Sequence, residues 1–244
     1  MNLTLATDDT GGPEIFASLQ GEGLSAGKPC SFIRLSRCNL ACVWCDTAYT
    51  WNFDGDERPH RDGRTFDRKA NQVALSPLEA ARGIDRLSPR RLVVTGGEPL
   101  LQSAALAEMA GLLPEHAIEV ETNGTVEPGA KFDAFVDHYT VSPKLAHSGN
   151  AATLALPPAR LAAWAAEPRA WFKFVVATPA DVTQVLALKA AFGIDGERIY
   201  LMPEGTDTAT IRAREAWLAP LCVEHGFRLS DRLHIHLYGD TRGT

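Results

Sequence analysis

The stretch RLVVTGGEPLLQSAALAEMAGLLPEHAIEVETNG, residues 91–124, contains two short apolar runs separated by a segment with helical spacing of its apolar residues. The runs at 91–97 and 117–124 are typical of buried strands, and the segment at 100–113 is typical of a helix. Two strands joined by such a helix form a β–α–β unit with parallel strands. This stretch therefore predicts an α/β protein.

The same alternation of strands and helices continues on both sides of this unit. Further strands are predicted at 30–36, 138–144, 171–178, 198–205 and 232–239, and further helices at 76–87, 179–193 and 208–226. We expect a partial (βα) TIM-like barrel of about six parallel strands, in a single domain over residues 1–244. Residues 52–75 are charged and lack a clear period, which predicts a loop or insertion that could cover the site.

Composition excludes some classes of function. The 244 residues carry a net charge of −6, whereas a broad nucleic-acid surface needs a basic excess. The N-terminus lacks a secretory pattern, and no run approaches the roughly 18 apolar residues of a membrane helix. We therefore expect a cytoplasmic protein that binds neither nucleic acid nor membrane, in a compartment where thiols stay reduced.

Three of the five cysteines, Cys38, Cys42 and Cys45, lie within eight residues, in the segment that follows the strand at 30–36. A four-iron cluster held by three thiolates would leave one iron open. Structural zinc would need a fourth ligand, and neither Cys30 nor Cys222 forms a second closely spaced pair. A redox dithiol would leave Cys38 without a role. The spacing favours the cluster, and zinc remains the main alternative.

Polar side chains follow several predicted strands directly. Glu98, Glu121, Asn123, Ser142 and Lys144 all come at or just after the end of a strand. Because chemistry in barrels of this type gathers at the carboxyl ends of the strands, we expect these residues to share one site. Arg34, inside an apolar strand, needs an anionic partner, which is either a ligand or a protein carboxylate.

The three-cysteine loop, followed by TGGEP at 95–99, resembles the radical S-adenosylmethionine (radical SAM) superfamily. The resemblance implies a 4Fe–4S cluster whose open iron is chelated by the methionyl amine and carboxylate of S-adenosylmethionine. It also implies that an electron from the cluster cleaves a C–S bond to give a 5′-deoxyadenosyl radical. An electron donor such as flavodoxin or ferredoxin is then required.

Additional motifs resemble a narrower group, the 7-carboxy-7-deazaguanine synthase family. These motifs are SLQGEGLSAGKPCSFIRLSRCNLACVWCDTAYTW at 18–51, ETNG at 121–124, SPK at 142–144 and HIHLYGDTRGT at 234–244. The resemblance implies a lyase of queuosine and deazapurine biosynthesis, which contracts the ring of 6-carboxy-5,6,7,8-tetrahydropterin with loss of ammonia and is assisted by Mg²⁺. It also implies a homodimer. The alternatives are an activase of glycyl-radical enzymes and a zinc-binding module without catalysis.

The resemblance also assigns roles to individual residues. It implies that the substrate is bound by Leu19, Gln20, Glu22, Gly23, Arg34 and His236. It implies that S-adenosylmethionine is bound by Thr95, Gly97, Glu98, Asn123, Ser142, Lys144, Met202 and Pro203, although the family often has Gln-Pro at 202–203. Cys38, Cys42 and Cys45 would hold the cluster, Thr47 would bind Mg²⁺ beside Asp46, and Glu121 would transfer a proton or orient the substrate.

Overall fold

Six of the strands form at the short apolar runs that predict them. The computed structural model describes residues 1–244. The strands are β1 (Leu3–Ala6), β2 (Ile15–Leu19), β3 (Pro29–Leu35), β4 (Gln72–Leu75), β5 (Arg91–Gly96), β6 (Ala117–Thr122), β7 (Val136–Val141), β8 (Ala170–Val176), β9 (Ile199–Pro203) and β10 (Arg228–Leu229). All ten belong to one sheet.

The helices are α1 (Arg68–Asn71), α2 (Pro77–Asp85), α3 (Ser103–Ala110), α4 (Ala130–Asp133), α5 (Ala152–Ala155), α6 (Pro158–Ala166), α7 (Pro179–Phe192), α8 (Thr208–His225) and α9 (Leu233–Tyr238). Local signals set several of their ends. Ser76 and Glu79 form a reciprocal capping box at the start of α2, which satisfies free N–H groups of its first turn. Both α7 and α8 end at a glycine with positive φ, Gly193 and Gly226. No helix combines the length and the hydropathy needed to cross a bilayer.

The sheet is an open, largely parallel structure. Its strand order is β10-β9-β8-β7-β6-β5-β3-β1-β4, and β2 pairs with β3. The six strands from β3 to β9 along this path are parallel to their neighbours, and the short β10 continues the series. Strands β1, β2 and β4 add antiparallel partners. The prediction of a partial barrel of about six parallel strands is confirmed.

Alternation along each strand separates the hydrophobic core from the barrel interior. In β6, Ile118 and Val120 belong to the main hydrophobic cluster between sheet and helices. Glu119 and Glu121 therefore project to the opposite side of the sheet, because successive side chains of a strand alternate. This arrangement places carboxylates inside the barrel, where a polar site can form.

Two segments differ from the prediction. Residues 232–239 were expected to form a strand, but 233–238 form helix α9. The short alternation HIHLY fits either structure, and a backbone bond from Leu233 N to Gly21 O fixes the start of the helix. The segment 52–75, expected to be a loop, ends in α1 and in β4, which pairs with β1.

Candidate active site

A cavity of about 650 Å³ opens at the carboxyl ends of the parallel strands. This volume lies within the range of ordinary cofactor and ligand sites. Most of the residues predicted for the site line it: Leu19, Gln20, Glu22, Arg34, Cys38, Cys42, Cys45, Thr47, Thr95, Gly97, Glu121, Asn123, Ser142, Lys144 and Met202. The fold therefore brings together side chains from segments distant in sequence.

The cysteine loop is held by backbone bonds to the turn after β5. Gly97 N donates to Leu35 O at 2.9 Å, and Glu98 N donates to Arg37 O at 2.9 Å. Arg37 has a φ of 78°, the only positive value outside glycine, and it directly precedes Cys38. A Cβ atom at position 97 would lie only 2.2 Å from Arg37 O. The loop and the turn therefore fit together because residue 97 is glycine.

Four residues expected to touch ligands lie outside the cavity lining: Glu98, Gly23, Pro203 and His236. Glu98 is fully buried, and its carboxylate accepts hydrogen bonds from Asn123 N at 2.7 Å and from Thr122 Oγ1 at 2.9 Å. Its contact with the methionyl headgroup stays a prediction, because a carboxylate offers about four acceptor positions and can accept further hydrogen bonds. Gly23 N instead donates to Ser230 Oγ at 2.9 Å.

Cys42 is buried and Cys38 and Cys45 are partly buried, and two of the three thiols receive N–H donors from asparagine side chains. Burial raises the pKa of Cys38 to about 12 and that of Cys42 to about 11, and it raises the pKa of Cys45 as well. The Nδ2 atom of Asn150 lies 3.3 Å from Cys42 Sγ, and that of Asn123 lies 3.8 Å from Cys38 Sγ. Such donors stabilise thiolates that are bound to a metal.

The spacing of the sulfur atoms distinguishes a cluster from a single zinc ion. The three Sγ atoms do not all lie within 4.8 Å of one another. Tetrahedral zinc, with Zn–S bonds of about 2.3 Å, would hold them about 3.8 Å apart. The buried indole N–H of Trp44, within the same loop and lining the same cavity, also has no partner in the protein. The donor set therefore fits an iron–sulfur cluster better than zinc.

A buried charge network lies on the opposite wall of the cavity. Glu22 is in direct contact with Lys173, and its other oxygen accepts from Arg232 Nε at 3.1 Å. Burial alone would raise the pKa of Glu22, but these two cations outweigh it and hold that pKa well below its usual range. Arg232 also contacts Asp46, so the carboxylate beside Thr47 already has a cationic partner.

Arg34 has a protein carboxylate as its partner. Its Nε donates to Glu14 Oε1 at 2.7 Å, and Tyr49 OH donates to the same carboxylate at 3.0 Å. Of the two partners considered from the sequence, the structure shows the protein one. The rest of the guanidinium makes no hydrogen bond to protein and lines the cavity, so it remains available to an anionic ligand.

Glu121 is held at the cavity wall by two neighbours. Gln20 Nε2 donates to one of its oxygens at 3.1 Å, and Thr95 Oγ1 donates to the other at 2.7 Å. Gln20 and Glu121 were predicted from separate motifs 101 residues apart, and they are in direct contact. Both side chains are therefore oriented before any ligand binds.

His236 is not part of the cavity lining, contrary to the prediction. A strand would have directed His234 and His236 to the same face, but in α9 they diverge. His234 lines the cavity, and its Nε2 lies 3.8 Å from Glu22 Oε1. A Cβ at Gly21 would lie 2.0 Å from His234 Nδ1, so the first glycine of the LQGEG motif makes room for this ring.

Sequence reasoning missed several residues of the site: Lys173, Arg232, His234 and Asn150. Lys173 lies within the apolar run WFKFVV, and the reasoning applied to Arg34 would have identified it as a buried charge in need of a partner. Arg232 and His234 belong to the segment 232–239, in which only His236 was assigned to the substrate. Asn150 carries no signal in a single sequence.

The comparisons with known proteins agree with this geometry. Residues 32–144 match the family model described as the Radical SAM superfamily. A 7-carboxy-7-deazaguanine synthase of Pyrobaculum aerophilum is 39% identical, covering 94% of this chain and 95% of the relative. One of Halobacterium salinarum is 36% identical over 95% of this chain and 91% of the relative. The crystal structure of QueE from Escherichia coli superposes with a TM-score of 0.68 and 28% identity, over 96% and 95% of the two chains.

Three spaced thiols at the open end of a partial parallel barrel, together with the family match, define a radical SAM enzyme. The matches to the two relatives extend over nearly the whole chain. The chain belongs to the 7-carboxy-7-deazaguanine synthase family.

Proposed function

We propose that this chain converts 6-carboxy-5,6,7,8-tetrahydropterin to 7-carboxy-7-deazaguanine with loss of ammonia. The observation that carries this proposal is a single cavity that joins Cys38, Cys42 and Cys45 on one side to Gln20 and Glu22 on the other. A glycyl-radical activase would need a groove for a protein segment, and a zinc module would need a closed thiol site.

The cofactor side of the cavity lies along the ends of β5 to β9. When bound, the cluster and S-adenosylmethionine supply the radical that removes a hydrogen atom from the substrate. Cys38, Cys42 and Cys45 would hold the cluster. Lys144 Nζ donates to Ser142 Oγ at 2.8 Å. Both side chains line the cavity and are proposed to bind the ribose and the carboxylate of S-adenosylmethionine. Remaining contacts to the cofactor are proposed for Thr95, Gly97, Asn123 and Met202.

The substrate side has acceptors and cations in the arrangement that a carboxylated pterin needs. Glu22 and Gln20 can accept from the amino and ring N–H groups of the pterin edge. The free part of the Arg34 guanidinium can bind the substrate carboxylate, because a guanidinium pairs well with carboxylates. Lys173 and Arg232 hold Glu22 in its ionised, accepting form. Leu19 adds an apolar contact at the same wall.

Glu121 is proposed as the group that orients the substrate or moves a proton. Thr95 and Gln20 fix both of its oxygens, so it cannot swing away from the cavity. A carboxylate in this position can accept a proton from a substrate N–H or C–H group that lies within hydrogen-bond reach.

Thr47 is proposed as the protein ligand of Mg²⁺. Its hydroxyl lines the cavity and lies 3.6 Å from Cys45 Sγ, next to the cluster loop. Mg²⁺ keeps several waters and binds through few protein oxygens, so one hydroxyl and a substrate carboxylate form a suitable set. Because Asp46 pairs with Arg232, it stays outside this set and supplies negative charge nearby.

Product formation tests the proposal. The reconstituted protein, incubated anaerobically with reductant, S-adenosylmethionine, Mg²⁺ and carboxytetrahydropterin, should give 7-carboxy-7-deazaguanine by mass spectrometry. Glu22→Gln should mainly raise the KM for the pterin, whereas Glu224→Gln, which changes an exposed carboxylate in the same way, should leave it unchanged. Absence of product from a protein with a full cluster would reject the function.

Other expectations from the sequence stay predictions. They are a flavodoxin or ferredoxin as the electron donor, a homodimer, a cytoplasmic location and a single domain over residues 1–244. Sedimentation of the reconstituted protein tests the dimer, and reduction by each purified donor tests the electron source.

A further inference from the structure

A second group of metal-ligating side chains lies outside the cavity. Glu215 in α8, Asp231 before α9 and His236 in α9 each place one donor atom within 4.8 Å of the other two. No other three His, Cys, Asp or Glu side chains in residues 1–244 approach one another this closely. None of the three lines the catalytic cavity, so the group has no role in the proposed reaction.

The two carboxylates of this group lack the basic partner that other crowded carboxylates of the chain have. Glu204, for comparison, lies within 2.6 Å of two arginines. Neither Glu215 nor Asp231 forms an ion pair with a lysine or arginine side chain. Asp231 Oδ1 accepts from the backbone N of Arg232 at 2.6 Å, and His236 Nε2 lies 3.0 Å from the same oxygen. No lysine or arginine side chain therefore neutralises the two carboxylates directly.

The donor spacing suits a transition-metal ion. Bonds of about 2.0–2.1 Å place adjacent ligands of one ion about 3.0–3.4 Å apart, and the distance between His236 Nε2 and Asp231 Oδ1 falls in this range. Two carboxylates balance the charge of a divalent cation, and an imidazole favours zinc over magnesium or calcium. We propose that Glu215, Asp231 and His236 form a second metal site, which takes Zn²⁺ and leaves its remaining positions to water.

A bound ion would fix the wall of the catalytic cavity from outside. Asp231 and His236 flank Arg232 and His234, which point the opposite way and line the cavity. Arg232 in turn holds Glu22. Zn²⁺ at this site would tie the segment 231–236 to α8, and so it would stabilise the position of Arg232 without contacting substrate.

Metal analysis of the intact, cluster-loaded protein tests this site. In anaerobic equilibrium dialysis against ZnCl₂ with Mg²⁺ present, wild type should take up one zinc per chain and keep its iron. Glu215→Gln, Asp231→Asn and His236→Gln should each weaken zinc binding at least about 10-fold. His225→Gln is the matched control, since His225 lies on α8 with a carboxylate 3.9 Å away but no third donor. It should bind zinc like wild type.

The thermal midpoint gives a second readout that is independent of turnover. Zinc should raise the thermal midpoint of wild type and of the His225→Gln control, and it should leave the midpoint of the three ligand variants unchanged. Zinc uptake that is absent, equal in all variants, or accompanied by loss of iron from the thiols would overturn the proposal. Because binding and melting are measured without substrate, failure here would leave the proposed reaction untouched.

Discussion

Replacing Gly97 with alanine tests whether the turn after β5 fixes the cysteine loop. The added Cβ would lie 2.2 Å from the carbonyl oxygen of Arg37 and 3.1 Å from Cβ of Cys38. Ordinary van der Waals contacts are about 3.5 Å, so the loop backbone must move by roughly 1 Å. Gly97 is not among the glycines with positive φ, so the methyl group itself, and not backbone strain, causes the shift.

The displaced backbone carries a predicted cluster ligand, which sets the size of the effect. A misplacement of about 1 Å in a reacting group can reduce turnover about 100-fold. Overpacking of a buried contact should also lower the free energy of unfolding by about 1–3 kcal/mol. The assays are iron per chain after anaerobic reconstitution, the rate of product formation and urea unfolding.

Gly111→Ala is the control for this substitution, because the nearest atom to its added Cβ is 3.5 Å away and its φ of −60° suits alanine. It should keep the iron content, rate and stability of wild type. If Gly97→Ala behaved in the same way, the contact between residue 97 and Arg37 would not determine the position of the loop.

Three other substitutions test the site and its surroundings. Burial lowers the pKa of His138 from 6.5 to about 4. The folded protein should therefore lose up to about 3 kcal/mol of its free energy of unfolding as the pH falls from 6.5 to about 4. His138→Gln should reduce this loss in urea titrations at several pH values, and an unchanged loss would exclude His138 as its source. Lys173→Met should lower the free energy of unfolding by about 1–3 kcal/mol, because Glu22 loses one of its two cationic partners and keeps Arg232. A variant as stable as wild type would show that the ion pair between Lys173 and Glu22 adds no stability. Thr47→Ala should raise the Mg²⁺ concentration for half-maximal rate at least about 10-fold with normal iron content, and an unaltered Mg²⁺ titration counts against the ligand assignment.

The parallel part of the fold could be predicted because the apolar pattern of each segment favours the same strand or helix that the folded chain forms there. The run RLVVTGG and strand β5 (Arg91–Gly96) differ by one residue, and the helix expected at 179–193 is α7 (Pro179–Phe192) followed by Gly193. The antiparallel strands β1, β2 and β4 were not predicted. They are four or five residues long, and their pairing is decided by distant partners, such as Leu3 with Leu75.

The site was predictable where a motif fixed both residue type and direction, as for Cys38, Cys42 and Cys45. The site was not predictable where the direction of a side chain depended on whether its segment forms a strand or a helix. The pair His234 and His236 shows this, because helix α9 directs only His234 into the cavity. Glu98 shows a second limit, since only the folded chain reveals that its side chain is buried and accepts hydrogen bonds from Thr122 and the backbone of Asn123.

The most direct test of the three-thiol site is electron paramagnetic resonance of the reduced, reconstituted protein before and after S-adenosylmethionine is added. About four irons per chain and a spectrum that changes on addition of the cofactor are expected, because an iron without a cysteine ligand is open to it. A colourless protein that contains zinc, or a cluster whose spectrum ignores the cofactor, would contradict the assignment of Cys38, Cys42 and Cys45.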